Sequence, residues 1–432
     1  MTPSARLAAV AELLDTIFGS SGRAEQAVSS YFRSRRYAGS KDRRWISEFL
    51  YRTLRHLGDV DWALAQIALD SSNRRRAIVA ALVLDEQALP EFAETCFQGA
   101  HALKELSEVE LEALAQLPNL DKAARPAHVT GNFPEWLAAL LQDQYGGKAD
   151  AIMATYAMRA PLTFRVNRLK ADRDAVLEQL QSEDIPARAT DLSPVGIVIG
   201  ENRNLNAHEL VKSGVLEIQD EAAQVAALLA QAAPGMQVMD YCAGGGGKTL
   251  AMGADMENSG RIIALDIDAR RMRDVASRCK RADLTIAETR VFPADDEESA
   301  FLDALRAKMD CVFVDAPCSG SGAWRRQPEQ KWHLTAERLA ELTALQADIL
   351  QEASTYVAPG GRLIYATCSI LEQENSAQVD HFLAQNPDFQ VTEFAPIWTE
   401  AEIGKEPTGK FLELTPELYG TDGFFAGVLT RS

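Results

Sequence analysis

Apolar residues recur at helical spacing through the first third of the chain. Two stretches follow the i, i+3, i+4 pattern of a helix with one buried face, namely Leu7, Val10, Leu13, Leu14, Ile17 and then Ile46, Phe49, Leu50, Leu54. Gly19, Gly39 and Gly58 stand where such helices would end. The pattern therefore predicts an all-α bundle over residues 1–130, with a looser linker at 118–126.

The next hundred residues mix two periodicities. Leu162, Phe164 and Val166 alternate as a half-buried strand does, and the apolar run 196–199 is also typical of a strand. Residues 172–181 between them have the spacing of a helix. We therefore expect a small α+β subdomain over residues 131–231.

From residue 232 to 432 short apolar strands alternate with helical segments. The strands are predicted at 238–241, 261–266, 290–292, 311–314 and 363–365. The helical segments between them include 269–280 and 337–356. This alternation predicts an α/β domain with a doubly wound, Rossmann-like sheet of parallel strands.

The charge of the chain is uneven. A formal net charge of −18 opposes nucleic-acid binding, because phosphate neutralisation requires Lys and Arg. Residues 23–76, however, hold twelve Lys and Arg against six Asp and Glu. A local basic patch of this kind allows RNA binding by an acidic protein, although a solvated helix face would have the same composition.

The six cysteines are scattered, without a CxxC pair, and no His pair has metal-ligand spacing. We therefore expect reduced thiols, no metal site and a cytoplasmic location. No apolar run approaches the roughly 18 residues of a membrane span, and the N-terminus lacks the features of a signal peptide. The sequence thus predicts no membrane association, and we expect a monomer.

A glycine run follows the first predicted strand of the α/β domain and opens a helix. Glycines at such a turn let the backbone approach a ligand closely. A P-loop would need glycine at Cys242, and a dinucleotide fingerprint would need one at Thr249 or Leu250. S-adenosylmethionine remains, since methyltransferases use a looser glycine-rich turn at this point. Its predicted contacts are Cys242, Ala243, Gly244, Gly245, Gly246 and Gly247.

Acidic residues end the next two strands. Asp266 lies about twenty residues beyond the glycine run, where a carboxylate can bind both ribose hydroxyls. Asp295 follows the third strand and is expected to contact the adenine, and we expect Arg271 to contact the cofactor from the helix between them. An unrelated nucleotide-binding fold remains the alternative on these features alone.

Two cysteines follow the fourth and fifth strands, in the loops after Asp315 and Thr367. Cys318 and Cys368 are therefore expected at the ligand-binding edge of the sheet. Cytosine C5 is too weak a nucleophile to accept a methyl group until a thiolate adds to C6, so one cysteine can attack while another helps release. Asp315 can bind the base edge and is also an expected cofactor contact. The spacing does not decide which cysteine attacks, and either needs activation.

Three motifs resemble those of one enzyme family, namely DYCAGGGGKT at 240–249, DAPCSGSG at 315–322 and ATCS at 366–369. Together they are similar to the Nop/Sun family of RNA cytosine-5 methyltransferases, in its bacterial RsmB branch. The resemblance implies that Cys368 is the nucleophile and that Cys318 promotes release. The reverse order, as in the DNA enzymes, is the alternative.

The glycine loop departs from the family, which commonly has Ala-Pro-Gly-Gly there. Glycine replaces a rigid proline but keeps the backbone donors, so only the fine geometry differs. Lys248 matches the loop lysine of the family, and the resemblance implies a contact with the cofactor. A salt bridge at the start of the helix is the alternative for this lysine.

Further stretches extend the similarity from about residue 132 to the C-terminus. They are FRVN at 164–167, QDEA at 219–222, RRQPE at 325–329, KW at 331–332 and DGFF at 422–425. The resemblance implies RNA or loop contacts for Arg165, Asn167, Arg325 and Arg326. Residues 39–46 and 51–52 are similar to the NusB-like RNA-binding domain of RsmB-type enzymes. That similarity implies phosphate contacts for Lys41, Arg43 and Arg44.

The predicted function is methyl transfer from S-adenosylmethionine to C5 of a cytosine in RNA, with 16S ribosomal RNA as the substrate that the resemblance favours. One alternative is a non-catalytic RNA-binding or ribosome-assembly factor on the same fold, and another is a tRNA cytosine-5 methyltransferase. A DNA or protein methyltransferase is disfavoured, because a DPPY-type motif is replaced by Asp315-Ala316-Pro317-Cys318.

Overall fold

The computed structural model describes residues 1–20, 22–99, 101–200, 205–292, 296–393, 395–404 and 409–432. These residues form two compact units. The first comprises Met1–Arg159 with Trp324–Leu334, and the second comprises Ala160–Ala323 with Thr335–Ser432. No helix among the described residues is long and apolar enough to cross a membrane.

Helices and strands are numbered in chain order. The helices are α1 Pro3–Ser20, α2 Ala24–Ser34, α3 Ser40–Arg55, α4 Leu57–Gln66, α5 Asn73–Leu84, α6 Leu89–Cys96, α7 Glu108–Leu114, α8 Ala127–Thr130, α9 Glu135–Tyr145, α10 Ala149–Thr155, α11 Arg173–Ser182, α12 Glu209–Lys212, α13 Glu221–Leu228, α14 Gly247–Asp255, α15 Ala269–Arg281, α16 Asp296–Asp303, α17 Gln330–His333, α18 Ala336–Ser354, α19 Ser376–Gln385, α20 Ala395–Glu400 and α21 Pro416–Tyr419. The strands are β1 Leu162–Val166, β2 Ala187–Ala189, β3 Gly196–Ile199, β4 Leu216–Ile218, β5 Gln237–Asp240, β6 Arg261–Asp266, β7 Ala287–Val291, β8 Met309–Asp315, β9 Val357–Thr367, β10 Phe389–Val391, β11 Leu412–Leu414 and β12 Phe424–Arg431.

The first unit is helical, as its apolar spacing predicts. The stripes predicted on α1 and α3 are buried in one core, with Val10, Leu14, Ile46 and Leu50 among its members. Burial of such a stripe is the main source of helix stability in a bundle, because short helices are marginal in water.

The boundary of this unit differs from the predicted one at residue 130. The helices α9 and α10 belong to it, as does the distant segment 324–334. Aromatic packing explains the difference, since the ring of Phe133 lies 5.6 Å from that of Tyr156 and 5.8 Å from that of Trp324. The partners lie far apart in sequence, so periodicity does not reveal the contact. The rest of the predicted second and third domains, without residues 131–159 and 324–334, forms the second unit.

Lys331, in that distant segment, has no exposed surface. Its Nζ lies 4.8 Å from the centroid of the Phe133 ring and donates to the Arg55 carbonyl oxygen at 3.4 Å. Burial, and then the charge of Arg55, lower the pKa of Lys331 from 10.5 to about 7. The folded state therefore favours the neutral amine, whereas the unfolded chain favours the cation.

This burial predicts a pH-dependent cost to folding. Between about pH 7 and 10 the unfolded state binds more protons at Lys331, so the free energy of unfolding rises with pH by up to about 1.4 kcal/mol per unit. Replacing Lys331 with methionine is expected to stabilise the protein by several kcal/mol near pH 7 and to remove this slope. Chemical denaturation across this pH range measures both effects. The exposed Lys148→Met is the control, and a difference between Lys331→Met and wild type that stays constant from pH 7 to 10 contradicts the account.

The second unit contains two sheets. The smaller one has four strands in the order β2-β3-β1-β4, and its pairs are antiparallel. With α11 it forms the predicted α+β subdomain, whose core includes Phe164, Val166, Leu180 and Ile197.

The larger sheet has the order β10-β12-β9-β8-β5-β6-β7, with β11 paired to β12. The five strands from β9 to β7 are parallel and confirm the predicted Rossmann-like arrangement. The strands β12, β10 and β11 extend it in antiparallel pairs. Because β5, β8 and β9 are neighbours, the loops that follow them meet at one edge.

Candidate active site

The glycine loop between β5 and α14 is held against β6. The amide of Ala243 donates to the Leu265 carbonyl at 2.8 Å, and the amide of Gly244 donates to the Asp266 carboxylate at 2.9 Å. Gly246 ends the loop with a φ of 77°. An added Cβ there would lie 2.9 Å from a methyl of Val275, so both conformation and space require glycine.

Asp266 lies at the end of β6, where it was predicted, and is nearly buried. Its second oxygen accepts from the amide of Asp268 at 2.9 Å. Arg271 is half-exposed, with its guanidinium 4.0 Å from the Asp266 carboxylate. The structure thus brings together three of the predicted cofactor contacts, Gly244, Asp266 and Arg271. Asp295 lies outside the described residues.

Asp240 forms the floor of this loop and was not predicted as a site residue. It has no exposed surface, and burial raises its pKa to about 6 even though Thr249 donates to it at 2.5 Å. Its Oδ1 is buried without a hydrogen-bond partner among the described residues. An unsatisfied buried carboxylate oxygen beside a glycine loop fits a cationic or hydrogen-bonding ligand such as the amino-acid part of S-adenosylmethionine.

Lys248 forms an ion pair with Asp315 across the site. The Nζ–Oδ2 distance is 2.6 Å, and Lys248 is 8% exposed. Although burial opposes the charged amine, the Asp315 carboxylate and the nearby Cys368 and Asp240 raise the pKa of Lys248. The lysine therefore stays cationic, as the predicted alternative of a salt bridge at the start of the helix anticipates. The Asp315 carboxylate lies at the end of β8, just before the loop that contains Cys318.

The two predicted cysteines are in direct contact. Asp315 on β8 pairs with Ala366 on β9, so the loops that follow these strands are adjacent. The Sγ atoms of Cys318 and Cys368 are 3.4 Å apart. The hydrogen bond with Cys368, and then burial, raise the pKa of Cys318 well above the ordinary value of a thiol. The Cys318 thiol therefore loses its proton less readily than an ordinary thiol.

The other cysteines are buried or unreactive. Burial and the carboxylates of Asp315, Asp240 and Asp266 raise the pKa of Cys242, so this thiol in the cofactor loop remains neutral. Burial also raises the pKa of Cys279 to about 11 and that of Cys311 to about 12. Among the described residues, Cys318 and Cys368 are the pair of thiols in contact, as two-thiol chemistry needs.

Arg165 and Asn167 lie inside the second unit and do not face solvent. Arg165 is 3% exposed and donates to the Gln219 side chain at 2.7 Å. Asn167 is 2% exposed and donates to the carbonyl of Ala282, just past α15, at 2.9 Å. These contacts connect the small sheet to α15 and to the segment before α13. A direct RNA contact by either side chain stays a prediction, and the packing assigns both a structural task.

The remaining predicted RNA contacts lie in the first unit. Lys41 and Arg44 are exposed on α3, where Arg44 pairs with Glu48 at 2.9 Å. Arg43 is half-buried and donates to the Ala38 carbonyl at 2.8 Å. In the distant segment Arg326 is half-buried and Arg325 is 3% exposed. Lys41 and Arg44 are thus the predicted basic residues most available to phosphate.

Glu374 was also missed by the sequence interpretation. It follows Cys368 by six residues and is fully buried beside both cysteine loops. Glu374 stands in a polar stretch and contacts Ser319, which is 55 residues away in the sequence. No local sequence pattern predicts a contact over this distance. No cluster of three or more His, Cys, Asp or Glu suited to a metal ion occurs in the described part of the chain.

Comparisons with known proteins identify a family that this chain resembles along most of its length. Residues 226–430 match the model of the 16S rRNA methyltransferase RsmB/F family, and residues 133–206 match its ferredoxin-like domain. Ribosomal RNA small subunit methyltransferase B of Shewanella oneidensis is 30% identical over 413 residues, which cover 91% of this chain and 92% of that protein. The protein of the same name from Pseudomonas syringae is 32% identical over 72% of this chain and 67% of its own length.

Solved structures share the fold. The crystal structure of PH0851 covers 100% of this chain and 99% of its own, with a TM-score of 0.77 at 23% identity. A methyltransferase homologue from Pyrococcus horikoshii covers 72% of this chain and 100% of its own, with a TM-score of 0.60 at 22% identity. With a relative this similar over nearly the whole length, the chain belongs to the RsmB/F family of S-adenosylmethionine-dependent 16S rRNA methyltransferases.

Proposed function

We propose that this protein methylates C5 of a cytosine in 16S ribosomal RNA. The observation that carries the proposal is the 3.4 Å contact between the thiols of Cys318 and Cys368 at adjacent strand ends. Simple transfer to an amine has no use for two thiols, whereas C5 transfer uses one for attack and one for release. The Lys248–Asp315 pair beside them adds groups that can bind a base edge.

The cofactor is assigned to the loop after β5. The backbone of residues 242–247, the Asp240 carboxylate and Asp266 are the groups that would hold it. S-adenosylmethionine supplies an electrophilic methyl group on a sulfonium. The residues fit, since the glycines allow close backbone approach and Asp240 retains an unused buried oxygen. Arg271 and Lys248 remain proposed contacts at the rim of this site.

Cys368 is assigned as the nucleophile. The raised pKa of Cys318 keeps a proton on its thiol, which can donate to the Cys368 sulfur. The ammonium of Lys248 is close enough to interact electrostatically with Cys368, so a cation lies near the proposed nucleophile. The alternative order would require deprotonating Cys318 beside a second sulfur and a buried carboxylate, so it is disfavoured.

The steps on the base then follow from the positions of these groups. The Cys368 thiolate adds to C6 of a cytosine that is unpaired or flipped out of its stack, and Asp315 binds the polar edge of the base. C5 becomes enamine-like and accepts the methyl group. A base from solvent then takes the C5 proton, the electrons of the C5–H bond form the C5–C6 double bond, and the C6–S bond breaks. Cys318 assists this release by donating its thiol proton to the departing Cys368 sulfur.

The RNA backbone is expected to bind the basic surface of the helical unit. Lys41 and Arg44 are exposed there, and phosphate contacts of this kind position RNA without reading its sequence. Arg165, Asn167 and Arg325 are buried, so their side chains do not meet solvent. The need for reduced thiols favours a cytoplasmic location, and a monomer is the expected state.

Nucleoside analysis of RNA tests this function. The purified protein is incubated with S-adenosylmethionine and with 16S ribosomal RNA, a tRNA pool or partly assembled small subunits. We expect 5-methylcytosine in the ribosomal RNA, abolished by Cys368→Ala and retained in the buried-thiol control Cys279→Ala. Methylation of the tRNA pool alone would mean that the substrate is tRNA and not 16S ribosomal RNA. RNA binding without methylation in every sample would favour an assembly factor.

A further inference from the structure

Beside the two thiols, a single buried carboxylate contacts the residue that follows each cysteine. Glu374 Oε1 accepts from the amide of Ser319 at 2.7 Å, and Oε2 accepts from the hydroxyl of Ser369 at 2.5 Å. The hydroxyl of Ser319 also donates to Oε2, at 2.5 Å. Glu374 has no exposed surface, so water does not compete for these bonds.

A fourth donor completes the coordination of this carboxylate. Gln346, from α18, donates to Oε1 at 3.0 Å and to the Pro317 carbonyl at 2.9 Å. These four donors occupy both oxygens of the Glu374 carboxylate. The network therefore binds the residues immediately before and after Cys318, namely Pro317 and Ser319.

Direct bonds between the two loops support the same arrangement. The amide of Gly322 donates to the Cys368 carbonyl at 2.9 Å, and the hydroxyls of Ser321 and Ser369 are 2.8 Å apart. Asn375, next to Glu374, donates to the Ser369 carbonyl at 3.0 Å. The two loops belong to different strands, and without such bonds each thiol would move independently.

We propose that Glu374 is a positioning residue, which holds the Cys318 and Cys368 thiols in their reactive register by binding Ser319 and Ser369. Its buried negative charge also disfavours a thiolate at Cys318, which keeps a proton on the releasing residue. No atom of Glu374 needs to contact the RNA or the cofactor. The inference rests on the proposed function, since it assigns a task in the same two-thiol reaction.

Two substitutions separate geometry from charge. Glu374→Gln keeps the length of the side chain and an acceptor for the Ser319 amide but removes the charge. Glu374→Asp keeps the charge but is one methylene too short to reach both serines. The exposed Glu372→Gln, on the same turn, is the matched control. Each protein is checked by circular dichroism for a folded state before use.

Steady-state kinetics measure the positional effect. We expect Glu374→Asp and Glu374→Gln to lower kcat about 10- to 100-fold, with KM for RNA and cofactor changed less than about threefold, because a displacement near 1 Å has this effect on an oriented reaction. Glu372→Gln should match wild type. Wild-type kcat in both Glu374 variants, or a loss confined to KM, overturns the proposal.

Alkylation of the thiols without RNA tests the charge separately. Iodoacetamide labelling across pH, followed by peptide mass spectrometry, gives a profile for Cys318. We expect Glu374→Gln to move that profile to lower pH and Glu374→Asp to leave it near wild type. An unchanged profile in Glu374→Gln overturns the electrostatic part. This readout needs no methyl transfer, so failure of the proposed reaction in wild type is distinguished from failure of the inference.

Discussion

A Cys318→Ala protein incubated with 16S ribosomal RNA and S-adenosylmethionine is expected to accumulate a protein–RNA adduct that survives denaturation. The reason is that Cys368 can still add to C6 and the methyl group can still be accepted, whereas the thiol that assists release is missing. The Cys318 sulfur lies 3.4 Å from that of Cys368, and no other thiol among the described residues is in hydrogen-bond contact with Cys368. A denaturing gel with labelled RNA measures the adduct.

Three further proteins control this experiment. Cys368→Ala and the double variant should form no adduct and should lose methyl transfer by at least about 10³-fold, as expected for removal of a covalent nucleophile. Cys279→Ala should behave as wild type. Trapping by Cys368→Ala alone would mean that the roles of the two cysteines are exchanged.

The second large effect is expected at Asp315. Replacing it with asparagine removes the carboxylate that pairs with Lys248 at 2.6 Å and that faces the base edge in the proposed reaction. Lys248 is then buried without its counter-charge, and burial lowers its pKa once the Asp315 charge is gone. We expect kcat to fall about 10²- to 10³-fold, as for loss of one preorganised electrostatic group.

Asp310→Asn is the matched control for this change. Asp310 lies on the same strand, is exposed and accepts from the amide of Gln237 at 2.7 Å, a bond that asparagine can retain. Its kinetics should equal those of wild type. Methyl-transfer assays at several RNA concentrations separate kcat from KM, and an Asp315→Asn protein with an unaltered kcat contradicts the proposed role.

Much of the site follows from local sequence signals. The glycine run after β5 and the acidic end of β6 are short-range features of a parallel sheet. Adjacency of Cys318 and Cys368 follows from one rule, that consecutive parallel strands end at the same edge. The alternating strand and helix pattern gave the sheet itself, although the antiparallel β12 beside β9 was not predicted.

Long-range contacts were the features that the sequence did not reveal. The packing of Trp324 against Phe133 moves residues 324–334 into the helical unit, and no periodicity links these positions. The bonds from Ser319 to Glu374 are of the same kind. An arginine is usually a surface residue, so the sequence alone does not predict the burial of Arg165. Its buried side chain donates to Gln219, which lies 54 residues away.

In the proposed reaction Cys368 forms a covalent bond with C6 of the target cytosine. RNA containing 5-fluorocytosine tests for this bond. Fluorine takes the place of the C5 proton that must be lost for release, so the covalent adduct stays trapped. After digestion, mass spectrometry identifies the modified peptide. We expect a methylated nucleotide on the peptide containing Cys368, in wild type and in Cys279→Ala. A nucleotide on Cys318, or methylation without any trapped adduct, would contradict it.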